Sequence, residues 1–240
     1  MSIRILLADD QELMRMGFRM VIESQSDLSI VGEAMDGRQA IAATAELSPD
    51  IVLMDVRMPE LDGIEATRRI VEGGSAARII VLTTFDADEY AYAALRAGAS
   101  GFLLKDAQPS ELLAAIRAVA SGDAVIAPSV TRRLLSIFVQ HLPDPSSQDP
   151  FSRGSSSPDP SSPELASPPK LELLTPRERE VLIEVARSHS NAEIAERLVL
   201  SEATVKTHVG RILAKLSLRD RVQIVVFAYE NRLIRPSVEG

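Results

Sequence analysis

Residues 51–59 read Ile51-Val52-Leu53-Met54-Asp55-Val56-Arg57-Met58-Pro59, four apolar side chains running into one carboxylate, with a proline four positions on. A continuous apolar run of this length predicts a strand buried on both faces, the kind that parallel sheets use. Open α/β sheets gather their ligands at the carboxyl ends of their strands. Asp55 is therefore expected in a solvent-facing crevice, where it can act as a nucleophile or a metal ligand.

The flanking sequence repeats the pattern. Ile3–Leu7 predicts a first strand ending in Ala8-Asp9-Asp10, followed by a helix with Leu13, Met16, Phe18, Met20 and Val21. Ile30–Val31 predicts a second strand, and Ile41, Ala45 and Leu47 a helix that ends before Pro49. After the quoted strand, Asp62 can cap a helix carrying Ile64, Ile70 and Val71. Ile79–Leu82 leads to Thr83-Thr84, residues 88–97 are helical, and Phe102–Leu104 ends at Lys105. Pro109 opens a last helix with Leu112, Leu113, Ile116 and Val119, stopped by Gly122. Strands alternating with helices over short loops predict a doubly wound, five-stranded parallel sheet, with the flavodoxin-like order 2-1-3-4-5. That order brings Asp9 and Asp10 beside Asp55 and puts Thr83 and Lys105 on the same rim.

Three converging carboxylates repel one another, and a hard divalent cation relieves this. Mg²⁺ takes few carboxylates, keeps several waters and accepts a phosphate oxygen as a further ligand. Asp55 can then attack a phosphoryl donor to form an acyl phosphate. Lys105 would balance the added charge and Thr83 would donate a hydrogen bond to the phosphoryl group.

The totals bound the alternatives. Cysteine is absent, which excludes disulfides, thiolate metal sites and a Cys nucleophile. No apolar run approaches the ~20 residues of a membrane span, and the N-terminus enters a strand without a signal-peptide pattern, so a cytoplasmic protein with no membrane partner is expected. The net charge of −8 is unevenly spread: residues 1–140 hold 13 Lys/Arg against 20 Asp/Glu, whereas residues 201–221 hold 5 against 2. An acidic front with a locally basic tail argues for two domains with different partners.

Residues 1–122 form the first domain on this reading. Residues 123–140 predict a connecting helix, and residues 141–170, with 8 of the 14 prolines and 9 serines, a disordered linker. From 171 to 236 the pattern is all-helical. Thr175-Pro176-Arg177-Glu178 and Ser190-Asn191-Ala192-Glu193 are capping boxes, Ser201 caps a third helix to Leu216, and Asp220 with Gln223 caps a fourth. Two short helices around a tight turn, the second one basic, predict a four-helix domain built on a helix-turn-helix. On the third helix Val205, Val209, Ile212, Leu213 and Leu216 form the core stripe, while Ala203, Thr207, Gly210, Arg211 and Ala214 face outward. Thr204, Lys206, His208 and Lys215 flank that face. Small residues outward with cations beside them suit entry into the major groove of DNA. Thr207 and Arg211 are the candidates for base readout, and Lys206 and Lys215 for phosphate contacts. The fourth helix is expected to supply a dimer contact, because Val222, Val225, Val226 and Tyr229 cannot all face one small core.

The contexts LLADDQ, VLMDVRMP, VLTTF and GFLLKD, carrying Asp9, Asp10, Asp55, Thr83 and Lys105, resemble the receiver domain of two-component response regulators over roughly residues 3–122. The run LLTPREREVLIEVA…NAEIAERLVLSEATVKTHVGRILAKL resembles the LuxR-type DNA-binding domain. Together they resemble a NarL/FixJ-type regulator, in which Asp106, not proline, follows Lys105. The resemblance implies that Asp55 accepts phosphate from a sensor histidine kinase. It further implies that Asp10, Asp55 and the backbone carbonyl of Arg57 ligate Mg²⁺ with Asp9 in support, and that Phe102 is a switch aromatic coupled to Thr83. It also implies a homodimer on promoter DNA when active, and no enzymatic activity beyond self-phosphorylation and self-dephosphorylation. Ser188 and Ser217 stand where that family commonly has glycine, so each needs a left-handed cap without glycine, costing on the order of 1 kcal/mol. A phosphate sink with a vestigial tail and a phosphate-independent DNA binder are the competing readings. The basic face argues against the first and the complete acidic set against the second.

Overall fold

The structure is a computed structural model that describes residues 2–84, 88–121, 171–231, 233 and 234. The expected connecting helix over 123–140 and the Ser/Pro-rich segment over 141–170 lie outside the described residues. Five strands, β1 (Ile3–Ala8), β2 (Leu28–Ala34), β3 (Ile51–Asp55), β4 (Arg78–Thr83) and β5 (Gly101–Leu104), pair in parallel in the order β2-β1-β3-β4-β5. Between and after them run α1 (Glu12–Glu23), α2 (Gly37–Leu47), α3 (Gly63–Glu72), α4 (Asp88–Arg96) and α5 (Pro109–Ser121). The apolar run of β3 serves both sides of the sheet. Ile51 and Leu53 pack with Ile22 of α1 and Leu112 and Ile116 of α5. Val52 and Met54 pack with Ala40 of α2, Ala66 and Ile70 of α3, and Ala94 and Leu95 of α4. This two-sided burial is why the strand carries no polar alternation.

Not every apolar residue of α1 turns inward. Leu13, Met16 and Met20 are 80%, 55% and 75% exposed, while Ile22 is fully buried and Phe18 and Val21 pack against the core. The core face of α1 is thus offset from the apolar face its composition suggests.

The C-terminal domain holds a 3₁₀ turn (Leu171–Leu173), α6 (Pro176–Ala186), α7 (Asn191–Leu198), α8 (Glu202–Leu216) and α9 (Arg221–Glu230). Both capping boxes form, and Ser201 and Asp220 accept from the backbone N–H of Thr204 and Gln223. Val205, Ile212 and Leu216 are buried, and Val209 and Leu213 pack against the same core at partial exposure. Ser188 and Ser217 take φ of 68° and 55°, the left-handed caps anticipated for them. Val199, in the turn before α8, joins them at φ 54°, a conformation that β-branched residues rarely adopt.

On the fourth helix, the apolar residues expected to be left over for a dimer contact are covered within the one chain. Val222, Val225, Val226 and Tyr229 are 0%, 6%, 5% and 3% exposed, so all four are buried in one chain. The physical reason is that α9 is enclosed from two sides, by α6 of its own domain and by α4 of the N-terminal domain. Polar contacts fix this junction. The Arg219 guanidinium donates to the carbonyls of Ser75 (2.8 Å) and Ala77 (2.7 Å), and Gln223 Nε2 donates to the Leu95 carbonyl (3.0 Å). Arg96 pairs with Glu230 at 3.0 Å. The Asp220 carboxylate faces the Ser100 hydroxyl, and burial pushes its pKa up.

Candidate functional site

The strand register assembles the acidic cluster. Ala8 stands opposite Met54, so Asp9 and Asp10, next in the chain, emerge beside Asp55. Oxygens of Asp9, Asp10 and Asp55 lie within 4.8 Å of one another; Asp9 and Asp55 are buried and Asp10 is exposed. The chain can turn sharply after Asp55 because residue 63 is glycine: a Cβ there would sit 1.8 Å from the Asp55 carbonyl oxygen. Backbone bonds from Val56 N–H to the Leu82 carbonyl and from Gly63 N–H to the Val56 carbonyl hold this loop.

One cation answers two of the three carboxylates. Lys105 Nζ lies 2.7 Å from Asp9 Oδ2 and 2.8 Å from Asp55 Oδ2, with its side chain 6% exposed. Lys105 is aimed there because its N–H continues the β4–β5 ladder, donating to the Thr83 carbonyl at 2.7 Å. Burial pushes the Asp55 carboxyl above the usual carboxylate range, and the bonds from Lys105 and the Arg57 N–H offset this only in part. Burial opposes the charge on Lys105 too, but its bonds to Asp55 and Asp9 outweigh that and raise its pKa. Three carboxylates against one ammonium leave an all-oxygen donor set in excess of negative charge. This is the chemistry that a hard divalent cation fits.

Thr83 is buried at the end of β4, one residue beyond Leu82, the partner of Asp55 across the β3–β4 ladder. Its hydroxyl donates to the Thr84 carbonyl at 3.3 Å. Phe102 is half-buried on β5 opposite Val81. The Arg57 guanidinium reaches the Thr84 hydroxyl at 3.3 Å. The structure thus brings Asp9, Asp10, Asp55 and Lys105 together, with Thr83 on the same rim.

The second candidate surface lies on α8. Ala203, Lys206, Thr207, Gly210, Arg211, Ala214 and Lys215 are exposed, and Thr204 and His208 are half-buried. No atom of the described chain lies within 4 Å of a Cβ built at Gly210, so packing within the chain does not demand glycine there. Two flanking residues have other duties. The Thr204 hydroxyl sits 2.8 Å from Ser201 Oγ in the helix cap. Lys215 Nζ lies 2.7 Å from Glu178 Oε2, whose side chain is 3% exposed. Burial works against the Glu178 charge, but Lys215 and the bonds from Thr175 hold its pKa below the usual value. Lys215 therefore supports the α6 cap, a role its place among cations on a helix flank does not announce. Arg15 and Arg219 also do work that the sequence pattern hides. Both donate to backbone carbonyls, which leave no signature in a sequence.

The family model of the response regulator receiver domain matches residues 5–117, and that of the bacterial regulatory proteins of the luxR family matches residues 172–228. The transcriptional regulatory protein YxjL of Bacillus subtilis is 43% identical over 98% of both chains. The transcriptional regulatory protein LiaR of the same organism is 40% identical over 97% of this chain and 99% of its own. Among solved structures, a two-component response regulator of the LuxR family from Aurantimonas sp. SI85-9A1 superposes with a TM-score of 0.54 at 37% identity, covering 58% of this chain and 99% of that one. Among the described residues no helix is long and apolar enough to cross a membrane.

Proposed function

Because this chain belongs to the response regulators that join a receiver domain to a LuxR-type DNA-binding domain, we propose that it is a transcriptional regulator of the cytoplasm switched by phosphorylation of Asp55. The observation that carries the reading is the acidic cluster sharing Lys105. A carboxylate oxygen of Asp55 attacks the phosphorus of a phosphohistidine on a sensor kinase. The new O–P bond forms as the P–N bond breaks, and the imidazole nitrogen leaves. Lys105, already within 2.8 Å of Asp55, moves its charge onto the new phosphoryl oxygens, and the Thr83 hydroxyl turns from the Thr84 carbonyl to donate to one of them. Asp10, Asp55 and the Arg57 carbonyl would hold Mg²⁺, with Asp9 behind, and the bound ion would supply positive charge where phosphate meets carboxylates. The acyl phosphate is later lost to water; no other substrate is turned over.

Output follows from the place of α9. Its contact with α4 covers a helix that, once free, forms the homodimer contact. Thr83 then draws the rim of β4 inward, Phe102 follows, and α4 shifts beneath α9. Two copies of α8 read paired half-sites in promoter DNA, with Thr207 and Arg211 on base edges and Lys206 on phosphate. Incubation with acetyl phosphate and Mg²⁺ tests the chemistry. The intact chain should gain one phosphoryl group by mass and bind a two-half-site probe more tightly, and Asp55→Asn should do neither. Equal labelling of Asp55→Asn would overturn the reading.

A further inference from the structure

Arg15 stands on α1 between Met14 and Met16 and is 7% exposed. A guanidinium is seldom buried to that degree unless every donor it turns inward is met. Its NH1 donates to the backbone carbonyl of Asp9 at 2.7 Å, and its Nε to Glu33 Oε2 at 3.0 Å. Glu33 also accepts from Arg19, and Arg19 pairs with Glu23 at 2.6 Å. Charges of alternating sign thus run from the surface end of α1, through β2, to the turn that carries Asp9 and Asp10.

The carbonyl that Arg15 grips belongs to the peptide unit joining Asp9 to Asp10. That unit is planar, so fixing its oxygen fixes the direction in which Asp10 leaves it. Asp9 has further anchors: its N–H donates to the Ala34 carbonyl at 3.1 Å, Oδ1 accepts from the Gln11 N–H at 2.9 Å, and Oδ2 pairs with Lys105. Asp10 is exposed, so the backbone before it does most to set where its carboxylate points.

We propose that Arg15 is a positioning residue for the divalent-cation site, locking the Asp9–Asp10 peptide so that Asp10 meets the ion without first being ordered. The proposal rests on the reading of the acidic cluster as an Mg²⁺ site. Partners that orient metal ligands typically change metal affinity roughly 10–100-fold when removed. Calorimetric titration of the full chain with Mg²⁺ alone should show Kd raised roughly tenfold in Arg15→Ala. Arg15→Lys, which keeps the charge but lacks the separate Nε and NH1 donors of the guanidinium, should fall between. Acetyl phosphate labelling of Arg15→Ala should be slow at low Mg²⁺ and return to the wild-type rate at saturating Mg²⁺, a rescue that a general loss of structure does not allow. If Arg15→Ala fails to fold, Arg15→Lys decides: a raised Kd supports the proposal and a wild-type Kd overturns it. If wild type binds Mg²⁺ and Asp10→Ala weakens it, yet both Arg15 variants bind as wild type does, this inference fails alone. If wild type does not bind Mg²⁺, the reading beneath it fails.

Discussion

Arg219→Ala should open the molecule without any phosphoryl donor. The two hydrogen bonds of Arg219 both cross from the C-terminal domain to the receiver, to the carbonyls of Ser75 and Ala77. Hydrogen bonds from a charged donor are worth roughly 1.5–3 kcal/mol each. Against them stands the desolvation of a half-buried guanidinium, which here lowers its pKa. A net loss of about 2 kcal/mol is therefore expected, or roughly 30-fold in the ratio of closed to open molecules, since 1.4 kcal/mol is tenfold. The Gln223 bond to Leu95 remains, and the Arg96–Glu230 pair, both partners exposed, adds no more than about 1 kcal/mol. Small-angle scattering should show a larger radius of gyration for the unphosphorylated variant, and sedimentation across a concentration series should show tighter dimerisation. A radius and a dimer Kd identical to wild type would refute the account of the junction.

Four further outcomes are expected. Burial holds the Asp55 pKa above its unfolded value, so its contribution to stability is full below the unfolded pKa and is lost as pH rises through the raised folded one. Metal-free Asp55→Asn should therefore melt higher than wild type at neutral pH and converge with it in acid; equal melting across the pH series would contradict this. Val222→Glu places a carboxylate at a position with no exposure and should unfold the C-terminal domain, at a cost above about 3 kcal/mol, instead of merely weakening cooperative DNA binding; circular dichroism distinguishes the two. Lys215→Ala takes the ammonium from the buried Glu178, leaving it the Thr175 N–H, and should cost about 1–3 kcal/mol in thermal stability, with little change in the salt dependence of DNA binding. Lys206→Ala should lower the salt slope by about 1 on any DNA, whereas Thr207→Val should lose roughly 1–3 kcal/mol on the specific site alone; equal losses on specific and scrambled probes would erase the distinction.

The sheet and its acidic rim were legible because both arise from local pattern. β1, β3, β4 and β5 each carry an apolar run, and the residue that ends the run sits at the carboxyl edge; β2, with Ser29, Gly32 and Glu33, shows only Ile30–Val31. Sheet order then brought Asp9 beside Asp55. Pairings across long sequence separations were not legible. Lys215 lies 37 residues from Glu178, and Arg219 lies 142 from Ala77; no periodicity encodes either. The burial of α9 did have a signal. Val222, Ile224, Val225, Val226, Phe227, Ala228 and Tyr229 are apolar on every side of the helix, and such a helix is covered all round. The small C-terminal domain covers one side of it and the N-terminal domain covers another. On α1 the apolar composition does not mark the core face: Leu13, Met16 and Met20 are exposed, while the helix turns Ile22 and Arg15 to the interior.

On the homodimer proposed above, the covering of α9 by α4 would make abundance a second input to this regulator. Closure is a first-order event within one chain, and its ratio does not change as the protein accumulates. Pairing through α9 is second-order and gains with every copy made. The two compete for one helix surface. The phosphorylation needed for half-maximal promoter occupancy should fall as expression rises, so a regulator of this design that drives its own gene would respond more sharply to a second stimulus than to the first. Strengthening or weakening the bonds of Arg219 and Gln223 moves that threshold without altering an atom of the phosphoryl chemistry.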